Sequence, residues 1–284
     1  MSYLASVDLQ TRPFPHLTAE NLLPPEMLPE IERHWPDAAQ FVEGGIDGNM
    51  LFDFARLGSL PQAQQDFWRG FLRGTVADYL GETARWFAPF YTAKFGGVPE
   101  GIRAWVMLQE MAPNFSGHEI HTHHYHSPNW LFSTLLYIDG EGSPGTSLYT
   151  TRQFLAGDAG SLAETAAQTL QWDDMPDMVA QTTIGIKPNR YLAFLDMPAS
   201  FHGVARPDSP APGRTRRIIR AHVMAPESTI EQVYGMRPAR YGVLRRRASR
   251  DPAVVAMLNS EIGRVLSVGQ ATPHGARIRV GVPG

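Results

Sequence analysis

A chain of 284 residues with 43% hydrophobic and 19% charged residues has the material for one large packed domain, which excludes disorder as the default state. Its net charge of -3 provides no general field for nucleic acid or an anionic membrane. Cysteine is absent, so disulfides, thiolate metal sites and cysteine nucleophiles are all excluded, and any metal must be held by nitrogen and oxygen.

The first residues, Met1 to Asp8, lack a basic segment followed by an apolar one, and no apolar run approaches the roughly 18 residues of a membrane span. The expectation is a cytoplasmic protein with neither membrane nor nucleic acid as a partner. From Pro13 the chain opens in extended form, and Pro24-Pro25 ahead of acidic residues predicts a short helix over Glu26 to His34. Gly44, Gly45 and Gly48 mark a loop. Ser59 and Gln62 have capping-box spacing, with Pro61 in the first turn. Phe67, Trp68, Phe71, Leu72, Thr75, Val76, Tyr79 and Leu80 then recur at helical spacing, so a helix over Ser59 to Trp86 should pack across a sheet.

From Arg103 the period becomes that of strands. Arg103–Met111, Trp130–Ile138, Thr146–Thr151, Arg190–Leu195 and Arg216–Val223 read as strands separated by turn residues, with His202 in the connection between the last two. The segment from Arg152 to Ile184 has no strand pattern and one candidate helix near Leu162 to Leu170, which suits a lid or binding loop. Arg237, Arg240, Arg245, Arg246, Arg247 and Arg250 form a basic stretch that reads as a solvated face, and Asp251 to Leu266 as an amphipathic helix. The parse is one domain over 1–224 and a helical, basic extension over 225–284.

Five of the ten histidines fall between His118 and His126. On an extended chain side chains two apart share a side, so His121 with His123, or His124 with His126, can converge on one ion. Neutral imidazole suits iron, zinc, copper and nickel alike. A pair of this kind at a strand end, completed by one distant histidine, makes a three-ligand site with open positions, as non-haem Fe(II) requires.

The residues from about 13 to 224 resemble the Fe(II)- and 2-oxoglutarate-dependent oxygenases, in particular their prolyl-hydroxylase-like branch. Pro13-Phe14-Pro15-His16 with Leu23-Pro24-Pro25 is similar to the family's N-terminal pattern. His124-Tyr125-His126-Ser127-Pro128 followed by Leu135-Leu136-Tyr137 resembles its His-x-Asp, proline and Leu-x-Tyr strand. Gly145-Thr146-Ser147-Leu148-Tyr149 and Phe201-His202-Gly203-Val204 resemble two later segments in the right order. The resemblance implies a double-stranded β-helix, a jelly-roll of two facing antiparallel sheets with flanking helices. It implies Fe(II) held by His124, His126 and His202, with 2-oxoglutarate and O2 as co-substrates. It places Arg216 as the clamp on the far carboxylate of 2-oxoglutarate, with Tyr137 beside it; Arg214, Arg217 and Arg220 compete for the clamp. The substrate expected is a small molecule, or a group linked to a carrier or peptide.

One departure stands out: His126 occupies the family's aspartate position, leaving the site one negative charge poorer. Counting forward from Gly117 instead puts His123 first, with Tyr125 as its partner, and His121 and His123 remain alternative ligands. His16, His34, His118, His222 and His274 read as non-ligands. Three functions stay open: 2-oxoglutarate-dependent hydroxylation, three-histidine oxygenase chemistry without 2-oxoglutarate on one or two metals, and a non-catalytic metal-binding domain.

Overall fold

The computed structural model describes residues 2–44, 49–111, 118–124, 127–140, 145–152, 178–204, 216–235 and 252–271. Its strands are β1 (Asp8–Gln10), β2 (His16–Ala19), β3 (Val42–Glu43), β4 (Asn49–Asp53), β5 (Arg103–Met111), β6 (His118–His121), β7 (Trp130–Asp139), β8 (Thr146–Thr151), β9 (Met178–Ile184), β10 (Tyr191–Leu195), β11 (Phe201–Val204) and β12 (Arg216–Met224). The helices are α1 (Met27–Arg33), α2 (Gln62–Phe71), α3 (Ala77–Phe95), α4 (Glu227–Tyr234) and α5 (Pro252–Ala271). An eight-stranded sheet in the order β1-β2-β10-β7-β12-β5-β4-β3 faces a four-stranded sheet in the order β6-β11-β8-β9, and every pairing is antiparallel. This is the expected double-stranded β-helix. Residues on the inner faces of both sheets line one cavity.

The large sheet is covered by α3, whose buried residues Tyr79, Leu80, Thr83, Phe87, Phe90 and Tyr91 recur every three or four positions. Tyr79 lies 5.3 Å from the Tyr191 ring, Phe87 5.6 Å from Phe132, and the Thr83 hydroxyl bonds the Tyr191 hydroxyl at 2.8 Å. Burying each such side chain contributes about 1.5–3 kcal/mol, so this face alone ties helix to sheet. The helix stops where Gly96 takes φ 76°, a left-handed cap that costs glycine little. Gly145 is required for a different reason: a Cβ there would stand 2.0 Å from the Ile184 carbonyl oxygen, so only glycine lets β8 approach the end of β9.

Several expectations are corrected. The helix over Ser59–Trp86 is two helices, α2 and α3, joined by a π-helical turn at Leu72–Val76 and continuing to Phe95. Ser59 does not cap it: its hydroxyl bonds Gln40, and Pro61 stands at the cap position with no side-chain bond. His202 lies within a strand rather than a connection. Residues 178–184 form a strand despite their weak pattern, since β9 is an edge strand with half its side chains toward solvent and needs no strict alternation. The candidate helix at 162–170 and the arginines from 237 to 250 lie outside the described residues. The stripe of α5, through Val254, Leu258, Ile262 and Val265, is buried in the same hydrophobic cluster as the sheet residues.

Candidate metal centre

His121 ends β6, and His202 of β11 is its direct partner in the ladder. Side chains directly opposite on an antiparallel pair share a face, and these two rings lie 4.3 Å apart. His123, two residues past His121, returns to the same side, with its ring 5.0 Å from His121 and 4.5 Å from His202. The Nε2 atoms of His121 and His123 face each other at 3.3 Å, and one nitrogen from each of the three rings lies within 4.8 Å of the others. Nitrogens bound to one ion at about 2.0–2.1 Å stand roughly 3.0–3.4 Å apart, and the 3.3 Å between His121 and His123 falls in that range.

The outer nitrogens fix which atoms face inward. His123 Nδ1 lies 3.0 Å from Asp196 Oδ1, and since a carboxylate can only accept, Nδ1 carries the proton and Nε2 presents its lone pair. His202 Nδ1 lies 3.0 Å from the Ser200 carbonyl and is fixed in the same way. A carboxylate behind an imidazole raises its basicity as a ligand. Burial, with His121 and His123 beside it, holds His202 well below the ordinary histidine pKa and therefore neutral. Burial pushes Asp196 up to about 6, opposed by the hydrogen bond from Ser133 and the charge of Lys94, so it is mostly ionised at neutral pH.

His123, Asp196 and His222 form a second group of this kind. Its centre is filled by the Ser133 hydroxyl, which donates to Asp196 Oδ2 at 2.7 Å and meets His222 Nδ1 at 2.8 Å. We therefore read this group as support for His123. Burial, with Arg220 next in effect, keeps His222 well below its usual pKa.

Arg216 and Arg220 of β12 stand four residues apart, and both line the cavity with the three histidines. Arg216 is buried, its Nη2 3.1 Å from the Thr146 hydroxyl and its guanidinium 5.3 Å from the centre of the Tyr137 ring. The Tyr137 hydroxyl bonds the same threonine at 2.8 Å. The structure thus brings Arg216 and Tyr137 together beside the histidines. Arg217, on the opposite side of the strand, pairs with Glu110 at 3.0 Å; Arg214 lies outside the described residues.

The histidine register differs from expectation. The ring of His124 lies on the other side of the tract, with Nδ1 3.4 Å from Lys94 Nζ and Nε2 3.3 Å from the Tyr234 hydroxyl. His126 and Tyr125 lie outside the described residues. The physical reason is a turn: Ser127 N–H bonds the His123 carbonyl, and Trp130 N–H bonds that of Ser127, so the chain folds back before β7 rather than running straight into it. Of the expected set, His202 stands in the cluster, and its companions are the alternatives His121 and His123. Ser133 and Asp196 were not assigned roles from sequence, Arg220 was named only as a competitor for the carboxylate clamp, and His222 was read as a non-ligand. Arg220 and His222 had a signal, since Arg216, Ile218, Arg220 and His222 alternate along one face of β12.

No family model and no curated protein matches the sequence. Among solved structures, a prolyl hydroxylase from Trichoplax adhaerens, in complex with a hypoxia-inducible-factor peptide, is similar at 12% identity and TM-score 0.47, over 78% of this chain and 87% of that one. A Pseudomonas putida prolyl-4-hydroxylase matches at 13% identity and TM-score 0.41, over 74% of this chain and 92% of that one. HygX from Streptomyces hygroscopicus, with nickel and 2-oxoglutarate bound, matches at 12% and 0.40, over 74% and 82%. No helix among the described residues is long and apolar enough to cross a membrane.

Proposed function

We propose that this chain is an Fe(II)- and 2-oxoglutarate-dependent dioxygenase that hydroxylates a small molecule or a carrier- or peptide-linked group. The observation that carries the reading is the convergence of three imidazoles and a buried arginine on one cavity between two sheets. His121, His123 and His202 would hold the ion on one side, leaving open positions for exogenous ligands. Fe(II) with O2 and 2-oxoglutarate supplies the oxidising power for hydroxylation coupled to loss of CO2.

This chain's residues do the rest. Asp196 and Ser200 hold the two imidazoles with their Nε2 lone pairs inward. Arg216 offers a forked cation to the far carboxylate of the co-substrate, which a lysine would not match in geometry. Apolar Leu135, Phe194, Val204 and Ile218 keep water from the reacting centre.

A second reading rests on one observation: His123 holds a place in the set with a neutral nitrogen where the resembling family has a carboxylate. The negative charge is present one step out, on Asp196, behind the His123 ring. On the second reading the three-histidine site consumes O2 without 2-oxoglutarate. Oxygen uptake by Fe(II)-loaded protein separates the two. Uptake that starts only when 2-oxoglutarate is added, with stoichiometric succinate, is the expected result. Equal uptake without it would favour the second reading, and metal bound with no uptake under either condition would mark a non-catalytic domain.

A further inference from the structure

Trp105 of β5 is 40% exposed, one of three large hydrophobic side chains so placed among the described residues. Tryptophan is mostly buried in folded chains, so an exposed indole calls for a reason. Trp105 shares a strand face with Gln109 and Met111, which line the cavity, because side chains two apart on a strand point the same way. Its direct partner in the ladder is His222 of β12, and their rings lie 5.8 Å apart. His222 is stacked on Trp130 at 3.8 Å, and these two rings approach His123 at 5.1 and 4.9 Å. A row of rings therefore runs outward from a candidate ligand and ends in an indole open to solvent.

The indole is also held in place. Its Nε1–H donates to Asp53 Oδ2 at 3.0 Å, and Asp53 Oδ1 accepts from the Ala55 N–H at 2.8 Å. With its one donor spent, Trp105 offers a guest the face of the ring. The neighbours of Trp105 on that sheet face include two cations, Arg103 and Arg220, against one carboxylate, Asp53. This balance disfavours a cationic guest, although an indole face alone would attract one. A ring already fixed binds without the cost of ordering it.

We propose that Trp105 is the floor of a substrate subsite at the solvent end of the cavity, on which a neutral or anionic aromatic ring of the substrate stacks. The proposal rests on the functional reading above and adds the substrate's chemical class. Ring-to-ring steps of 5.8 and 5.1 Å lead from Trp105 through His222 to His123, so a short side chain on the stacked ring reaches toward the three histidines.

The test is saturation-transfer NMR on the full, metal-free chain with phenylacetamide, cyclohexylacetamide, methyl β-glucoside and tetramethylammonium as probes. Phenylacetamide should bind most tightly. Trp105→Phe, which keeps a ring face, should hold it within about threefold, whereas Trp105→Leu and Trp105→Ala should lose about 10-fold. The leucine variant keeps apolar bulk, and it serves equally if the alanine variant fails to fold. Mn(II) added to the native chain should then broaden the ring resonances of bound phenylacetamide, since the ion and the stacked ring share one cavity.

Equal binding of cyclohexylacetamide, preference for the glucoside or the ammonium, or phenylacetamide binding that is absent or unchanged in Trp105→Leu would each overturn the proposal. So would bound Mn(II) that leaves the probe's resonances sharp. Failure of Mn(II) to bind sinks the functional reading alone, because stacking on Trp105 is read in the metal-free chain.

Discussion

His123 and His124 are adjacent and both buried, yet they belong to opposite kinds of cluster. His123 turns toward two strands that bring a second and third imidazole and a cavity. His124 turns toward three helices: Lys94 of α3, Tyr234 of α4 and Glu261 of α5. There the hydrogen bonds close on themselves. Lys94 Nζ faces His124 Nδ1, the opposite ring nitrogen meets the Tyr234 hydroxyl, and Tyr234 donates to Glu261 Oε2 at 2.6 Å. Glu261 Oε1 stands 3.8 Å from Lys94 Nζ as an ion-pair partner. Lys94 also donates to the Asp196 carbonyl at 2.6 Å, so the second cluster braces the residue that supports the first. The lesson is that an imidazole becomes a metal ligand through what the opposing elements bring. The Lys94 ammonium stands beside a His124 ring whose two nitrogens both meet side chains of the helices, whereas His123 faces two further imidazoles across a cavity.

The sharpest way to break this comparison is to remove the carboxylate from the closed cluster. Glu261→Ala leaves Lys94 buried and uncompensated, and should cost about 3–5 kcal/mol in urea unfolding. A loss below about 1 kcal/mol would mean that the cluster is not the closed charge pair described. The complementary change is in the open cluster. His202→Ala should abolish stoichiometric Co(II) binding, while Asp196→Asn, which removes only the support behind His123, should weaken it by about 10–100-fold. Equal effects of the two substitutions would erase the distinction between ligand and support.

Acid should act on both clusters. His16, His124, His202 and His222 are each held below the ordinary histidine pKa, by burial first. Between that depressed value and the unfolded value of about 6.5, the unfolded chain holds more protons. Stability is therefore present above the unfolded pKa and falls as pH drops below it. Each such histidine contributes up to about 1.4 kcal/mol per pH unit. Asp196, with its pKa raised to about 6, holds a proton in the folded chain that the unfolded chain has lost; it opposes the trend between its unfolded value of 3.8 and that value. Urea unfolding of the metal-free protein between pH 6.5 and 6 should show the histidine slope, and His124→Gln should lower it by roughly half to three-quarters of a proton. The smallest effect expected is on metal affinity in that same variant. His124→Gln should change Co(II) affinity by less than the roughly tenfold a supporting residue is worth; a larger loss would make His124 part of the metal site.

Much of the scaffold was legible because its strands carry strong patterns. Trp130–Asp139 is dense in β-branched and aromatic residues, Arg216–Met224 carries Ile218, Ile219 and Val223, and both lie inside the large sheet. β11 escaped as a strand because it has four residues, one of them Gly203, and β9 because an edge strand with exposed side chains shows little hydrophobic contrast. At the site, His202 could be read from Phe201-His202-Gly203-Val204, but the choice between His121/His123 and His124/His126 depended on the turn after His123. The turn is made by backbone hydrogen bonds, and spacing alone does not encode them. The closed cluster was invisible for another reason. Glu261 reads as the polar face of an amphipathic helix, and nothing local says that Lys94 waits for it 167 residues upstream.

That separation bears on how the protein is made. By the time residue 224 has left the ribosome, every side chain of the candidate metal centre and its two arginines has been synthesised. The partner of Lys94 has not. Until α5 emerges and docks, an ammonium lies beside the ligand-bearing segment without its carboxylate. At about 5–20 residues per second the interval is a few seconds. During it the nascent chain holds all three imidazoles while the segment after His121 lacks the bracing of α5. Metal acquisition should therefore be among the last steps of biogenesis, gated by the arrival of a helix that contributes no ligand.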